Sequence, residues 1–114
     1  MYPIEEQLCG VMGEIASIGA EVDRSLDRYD QCIEGACVTR KVLEAGLLLA
    51  CVRQARAKAE KLSRRIPSPN RVPACDAEAV AALLGALFRF MESCDTREAS
   101  INEMVLGLER EISV

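Results

Sequence analysis

Apolar residues recur at helical spacing through the first third of the chain. From Ile4 to Ile33 they lie three or four residues apart without interruption. This repeat is near 3.6 residues, and the alternation of a strand cannot produce it. The positions are Ile4, Leu8, Val11, Ile15, Ile18, Val22, Leu26, Tyr29 and Ile33. The pattern predicts one amphipathic helix of about eight turns.

A second helical pattern runs from Val38 to Ile66 and becomes rich in alanine towards its end. Between Ile33 and Val38 the spacing slips beside Gly35, the residue type that most often terminates a helix, so we expect a turn or sharp kink there. The segment from Ile66 to Pro73 contains three prolines, which cannot continue a helix. We interpret this segment as a connection inside one domain.

A third helical pattern follows the prolines and reaches Ile112, with Asp76 as its expected N-cap. Two local signals conflict within it. The apolar phase continues without a break, which favours one long helix. The residues from Asp95 to Glu98 have the form of a capping box, which favours a new helix starting there. We favour the single helix, with a break near Asp95 as the alternative.

Charge divides the chain into three parts. Residues 1–34 carry a net charge of −6, residues 35–72 carry +7 and residues 73–114 carry −5. A basic middle segment is attracted to both acidic neighbours, as in an up-down-up arrangement. The sequence therefore predicts an all-α fold, an antiparallel bundle of three long helices or of four if the third is broken. We expect residues 1–114 to form a single helical-bundle domain.

Composition excludes several kinds of chemistry. The 114 residues include no histidine, which excludes Ser-His-Asp and Cys-His catalysis, phosphohistidine transfer and His-ligated metal sites. Helical chorismate mutases work with Arg, Lys, Glu and Gln instead, but they need more cations on the first helix than Arg24 and Arg28. We therefore expect no enzymatic activity, no catalytic residue and no cofactor.

The location of the protein is also predicted from the sequence. The first residues are neither basic nor followed by the apolar run of a signal peptide. No apolar run approaches the roughly 20 residues that span a bilayer. We expect a cytoplasmic protein without a membrane span, in which the cysteines are reduced.

Six cysteines are present, but their spacing matches no metal motif. They are Cys9, Cys32, Cys37, Cys51, Cys75 and Cys94. The closest pair, Cys32 and Cys37, is five residues apart, whereas structural zinc sites usually contain a C-x-x-C pair. We interpret the cysteines as small core residues and predict no metal site. A thiol-based metal or redox protein is an alternative.

The predicted helices are long for so small a chain. A helix of 30 residues is about 45 Å long, and a three-helix bundle of that length leaves apolar surface uncovered. We therefore predict a non-enzymatic protein–protein interaction module, a small acidic adaptor or chaperone that holds another protein's amphipathic helix or associates with itself as a homo-oligomer. Small secretion-system chaperones share this size and character, which is an analogy of class without a shared motif.

The expected partner-binding residues are of two kinds. Three glycines in the first helix form, with Ala16 and Ala20, a strip of small residues that suits close helix approach. The other four are large apolar residues that we expect a thin bundle to leave exposed. The full set is Gly10, Gly13, Gly19, Leu47, Leu83, Phe88 and Phe90.

A basic run in the second helix supports an alternative function, the binding of phosphate or nucleic acid. Its candidate residues are Arg53, Arg56, Lys61, Arg64 and Arg65. The run contains no aromatic residue, and the whole chain has a net charge of −4, so we do not expect nucleic acid to be the partner.

Overall fold

The computed structural model of the protein describes residues 4–113, which form three α-helices and no strand. Helix α1 spans Ile4–Ile33, α2 spans Val38–Arg65 and α3 spans Ala74–Ser113. A single 3-10 turn, Pro69–Arg71, lies in the proline-rich connection. The all-α prediction is confirmed, with three helices rather than four.

Ion pairs show that α1 and α2 are antiparallel. Near the start of α1, the Glu14 carboxylate lies 3.3 Å from the Arg65 guanidinium at the end of α2. Further along α1, the Glu21 carboxylate lies 3.2 Å from the ammonium group of Lys58. A step of seven residues up α1 therefore corresponds to a step of seven residues back along α2.

The same evidence orients α3 against α2. Arg56 pairs with Asp95, and Arg53, one turn earlier in α2, pairs with Glu98 at 2.9 Å. Each of these cations lies on α2 and each carboxylate lies on α3. Within residues 4–113, every ion pair between helices has α2 as one member. The predicted up-down-up order, with the basic helix between two acidic ones, is confirmed.

Gly35 makes the turn between α1 and α2. Its φ angle of +72° lies in the left-handed region, which glycine adopts without a steric penalty. The amide of Ala36 donates a hydrogen bond to the carbonyl of Ile33, which closes the end of α1 at 3.0 Å. The expected turn is therefore present, and α2 begins three residues after the glycine.

Helix α3 begins earlier than expected. The carbonyl of Pro73 accepts hydrogen bonds from the amides of Asp76 and Ala77, so the helix starts directly after this proline, at Ala74. The prediction that Asp76 is the N-cap was wrong. Asp76 lies within the first turn, where its negative charge still interacts favourably with the helix dipole.

The residues that resemble a capping box do not interrupt α3. The hydroxyl of Thr96 donates to the carbonyl of Glu92 at 3.1 Å, a bond made within a continuing helix. The carboxylates of Asp95 and Glu98 accept hydrogen bonds from arginines of α2 and do not cap backbone amides. Helix α3 is therefore continuous over 40 residues, about 60 Å at 1.5 Å per residue. The long axis of the molecule measures 61 Å.

Helix α2 supplies the centre of the core. Three of its alanines, Ala45, Ala55 and Ala59, are at most 2% exposed. Small side chains at these positions let neighbouring helices approach the α2 backbone closely. Helices α1 and α3 both pack along α2 but contact each other only sparsely. The bundle is therefore open on the side between α1 and α3.

One charged residue, Glu44 of α2, is buried, with a side chain only 4% exposed. Its carboxylate lies 3.1 Å from the guanidinium of Arg40, one turn earlier in the same helix. A second guanidinium, from Arg28 of α1, lies 3.7 Å away. Because a buried carboxylate is costly unless it is paired, these two arginines compensate for its burial.

Removal of both arginines tests this compensation. We predict that R28A/R40A lowers the free energy of unfolding by about 2 kcal/mol, because it leaves the Glu44 carboxylate buried without a partner. Adding E44Q to that double variant restores most of the loss. Urea denaturation monitored by circular dichroism measures the free energy of unfolding of the double and the triple variant. The control R24A/K41A makes the same change in net charge, at two cations that have no ion pair among the described residues. A loss of stability in this control equal to that of R28A/R40A contradicts the prediction.

A proline substitution tests the continuity of α3. We predict that Thr96→Pro costs about 3 kcal/mol of stability, because proline inside a helix removes a hydrogen bond and clashes with the preceding turn. If a new helix began after Asp95, position 96 would be its first residue, where proline is tolerated. Ala74→Pro, at the first residue of α3, is the control and should cost little. Similar urea midpoints for the two variants would contradict a continuous α3.

Candidate partner-binding groove

A cleft of about 240 Å³ lies between α1 and α3, on the side where these helices hardly touch. We name it the α1–α3 groove. It is lined by Gly19, Val22 and Asp23 of α1 and by Phe90, Ser93, Cys94 and Arg97 of α3. The groove therefore combines apolar residues with one acidic and one basic residue.

The floor of the groove is part of the hydrophobic core. Val22 is 3% exposed and Cys94 is 2% exposed, and the half-buried ring of Phe90 packs against the same core. Burial is the main cause that raises the pKa of the Cys94 thiol above its usual value. The thiol is therefore neutral at physiological pH, and the floor presents an uncharged, mainly apolar surface.

Small residues extend these walls towards the N-terminal ends of the two helices. On α1, Ala16 precedes Gly19 by one turn and lies on the same face. On α3, Ala86 and Ala82 precede Phe90 by one and two turns. These positions are uncharged, and the exposed Met12, one turn before Ala16, adds an apolar side chain to the same face of α1.

Acidic residues continue the groove side of α1 towards its C-terminal end, beyond Asp23, which lines the cleft itself. Asp23, Asp27 and Asp30 are exposed and are spaced by four and then three residues, which puts them on one face of α1. None of the three takes part in an ion pair within the described chain. We name this set the acidic rim.

At this same C-terminal end of α1, the two helices α1 and α3 are joined directly. The hydroxyl of Tyr29 donates to the sulfur of Met104 at 3.1 Å, and Tyr29 is itself buried. Burial raises the pKa of this phenol, with a smaller contribution from Asp30. The phenol therefore remains protonated and can donate this bond at neutral pH.

Two of the predicted partner-binding residues, Gly19 and Phe90, come together in this groove. The other two glycines lie elsewhere. Gly10 borders a separate opening of about 450 Å³ beside Arg65 of α2, and Gly13 is exposed. Nine residues, or two and a half turns, separate Gly10 from Gly19, so the two lie on opposite sides of α1. The predicted strip of small residues therefore does not exist as a single surface.

None of these glycines is in a close helix contact within the chain. A Cβ atom added at Gly10, Gly13 or Gly19 would meet no atom within 4 Å. The interpretation that they permit close approach is therefore wrong for the helices of this chain. Gly19 alone lies where an additional helix would be the neighbour.

The four apolar residues predicted to bind a partner also differ in their exposure. Leu47 and Phe88 are about half exposed, at 47% and 55%, as expected of residues that the bundle leaves uncovered. Leu83 is buried at 8%, so its expected exposure was wrong. It lies three residues after Val80 and four before Leu87, a spacing compatible with the core stripe of α3.

The basic run of α2 is largely occupied by carboxylates of the same chain. Arg53 and Arg56 pair with α3, and Arg65 pairs with α1 on the other side of the helix. Arg64 pairs with Glu60 within α2. Lys61 is exposed and has no ion pair among the described residues. These cations do not form one patch, and anion binding would compete with the pairs that join the helices.

Neither a metal cluster nor a membrane-spanning helix is found in residues 4–113. No three or more His, Cys, Asp or Glu side chains in this range are grouped so that they could hold a metal ion. None of the helices there has both the length and the apolar character needed to cross a bilayer. All six cysteines are free thiols, and Cys94 is buried in the core as predicted. The interpretation of the cysteines as core residues was wrong for Cys9, Cys37 and Cys75, which are exposed, while Cys32 and Cys51 are half-buried.

Comparisons with known proteins were made at three levels. No family model, no curated protein and no solved structure matches this chain. The geometry of the groove is therefore the basis for the function proposed for this protein.

Sequence reasoning missed five residues that line the groove: Val22, Asp23, Ser93, Cys94 and Arg97. A signal for some of them was present in the helical repeat. Asp23 follows Gly19 by one turn, and Ser93 and Arg97 follow Phe90 by one and two turns. The repeat alone does not indicate which side of α1 faces α3.

Alanine substitutions test whether the glycines are held in close contact. We predict that Gly19→Ala and Gly13→Ala each raise the free energy of unfolding by up to about 1 kcal/mol, because alanine favours helix and the space for its methyl group is open. Thermal and urea denaturation of the isolated chain measure this effect. A loss of stability in Gly19→Ala alone would contradict the open geometry of the groove.

Proposed function

We propose that the protein is a non-enzymatic interaction module, a small acidic helical adaptor or chaperone. It holds an amphipathic helix of another protein in the α1–α3 groove. One observation carries this proposal: α1 and α3 hardly touch, and the cleft between them has the buried core residues Val22 and Cys94 as its floor and half-buried Phe90 as a wall. Open clefts that combine an apolar lining with a few polar groups are typical of binding sites.

The extended shape of the molecule supports the proposal. Its accessible surface is 7572 Å², whereas a compact monomer of 12.5 kDa has roughly 6200 Å². Its radius of gyration is 18.1 Å, against roughly 13 Å for a compact domain of this length. The difference in surface, roughly 1400 Å², exceeds the roughly 800 Å² that one partner contributes to a standard protein interface.

The chemistry of the groove indicates the kind of partner. A helix laid along it would cover Phe90 with apolar residues spaced by three and four positions. Small residues such as Gly19 and Ala86 permit the close spacing of packed helices, about 8–10 Å between axes. All six thiols are free, which supports a reducing, cytoplasmic location as part of the proposal.

Site-specific cross-linking tests the proposal. A photoreactive benzophenone analogue of phenylalanine replaces Phe90 in the groove or, as the control, Phe88, which is exposed outside it. Irradiation in the cells that make the protein should give a defined protein adduct from position 90 and none from position 88. Mass spectrometry of the adduct should map the cross-link to an amphipathic helix of the partner.

A groove-blocking variant gives the matched control. Gly19→Arg places a long side chain in the groove, and Gly13→Arg places the same side chain on the exposed surface of α1. We expect the adduct at position 90 to disappear with G19R and to persist with G13R, while both variants keep their helical circular dichroism. Equal adducts at positions 88 and 90, an adduct insensitive to G19R, or no adduct overturns the proposal.

A further inference from the structure

We infer that the partner helix carries a basic edge, lysine or arginine, on the side that lies against α1. This inference rests on the proposed function, because it assigns the chemistry of the partner at the same groove. It comes from the acidic rim, Asp23, Asp27 and Asp30, which the chain itself does not neutralise.

The acidic residues of α1 divide into two groups by the side of the helix on which they lie. Glu14 and Glu21 face α2, where Arg65 and Lys58 neutralise them. Asp23 follows Glu21 by two residues, a rotation of about 200° that takes it to the opposite side of the helix. The α2-facing side of α1 is therefore paired with the chain's own cations, and the groove side is not.

The α3 wall contributes a single cation to the lining of the cleft. It offers Arg97 opposite Asp23, but no ion pair forms between them. Ser93 and Ser100, which lie on the same face of α3 as Arg97, are uncharged. Three carboxylates within two turns repel one another, and a cation at the rim relieves that repulsion.

The position of the acidic rim also predicts how apolar and basic residues are distributed along the partner helix. The three aspartates lie along the C-terminal half of α1, whereas the same face before Gly19 is uncharged at Met12 and Ala16. A partner helix matched to both parts has small apolar residues along its buried face. Its basic residues are concentrated towards one end and on one edge.

Two synthetic peptides test this inference directly. Both are 20-residue amphipathic helices with the same Leu/Ala face, and one has lysines and the other glutamates at the edge positions. Fluorescence anisotropy measures their dissociation constants at low salt. We expect the lysine peptide to bind about tenfold more tightly, the effect of about three rim ion pairs.

Two triple variants with the same change in net charge locate the effect. D23N/D27N/D30N should reduce the difference between the peptides to about twofold or less. The control E78Q/E92Q/E103Q removes three carboxylates from exposed positions of α3 outside the groove and should leave the difference intact. G19R should abolish binding of the lysine peptide, because the arginine occupies the groove.

The outcomes separate this inference from the proposed function. Equal binding of the two peptides, both lost in G19R, overturns the basic edge and leaves the groove proposal standing. An effect of the control triple variant equal to that of the rim variant also overturns the basic edge. If neither peptide binds, or if the chain alone forms a dimer in sedimentation that G19R dissociates, the inference fails. The cross-linking experiment then decides the groove proposal by itself.

Discussion

The packing of two acidic helices onto one basic, alanine-lined helix is the constraint on which the rest of this structure depends. The buried alanines of α2 allow both neighbours to approach it closely, and burial of apolar side chains there supplies most of the stability. The exposed ion pairs along its edges contribute little energy each but favour the correct neighbours and directions. Because both acidic helices pack on α2, the side between them stays open, and the candidate site lies there.

Much of this fold could be predicted from periodicity alone. The apolar repeat of α1 ends at Ile33, where the helix ends, and Gly35 supplies the expected turn. The conflict near Asp95 could not be settled locally, because the carboxylates that resemble a helix cap are bound by arginines far away in the chain. Leu83 shows a related limit: Leu83 and Leu84 fit the apolar repeat equally well, and only the position of the neighbouring helices selects Leu83 for the core.

The candidate site was less predictable than the fold. Gly19 and Phe90 were identified from the sequence, but Gly10 and Gly13 were grouped with Gly19 although they lie on other sides of α1. Buried Glu44 was not foreseen, since its burial depends on Arg28 of the neighbouring helix as well as on Arg40 nearby. Periodicity identifies the buried stripe of each helix, whereas a site formed between two helices depends on their relative rotation, which no single helix encodes.

The sparse contact between α1 and α3 has a consequence for how the chain acquires its structure. Nearly all packing joins helices that are consecutive in the sequence, so the molecule consists of two helical hairpins that share α2. Each hairpin closes through a short connection, which keeps the entropic cost of closure small. Topologies of this kind fold in microseconds to milliseconds, and either hairpin can form first and serve as the template for the remaining helix.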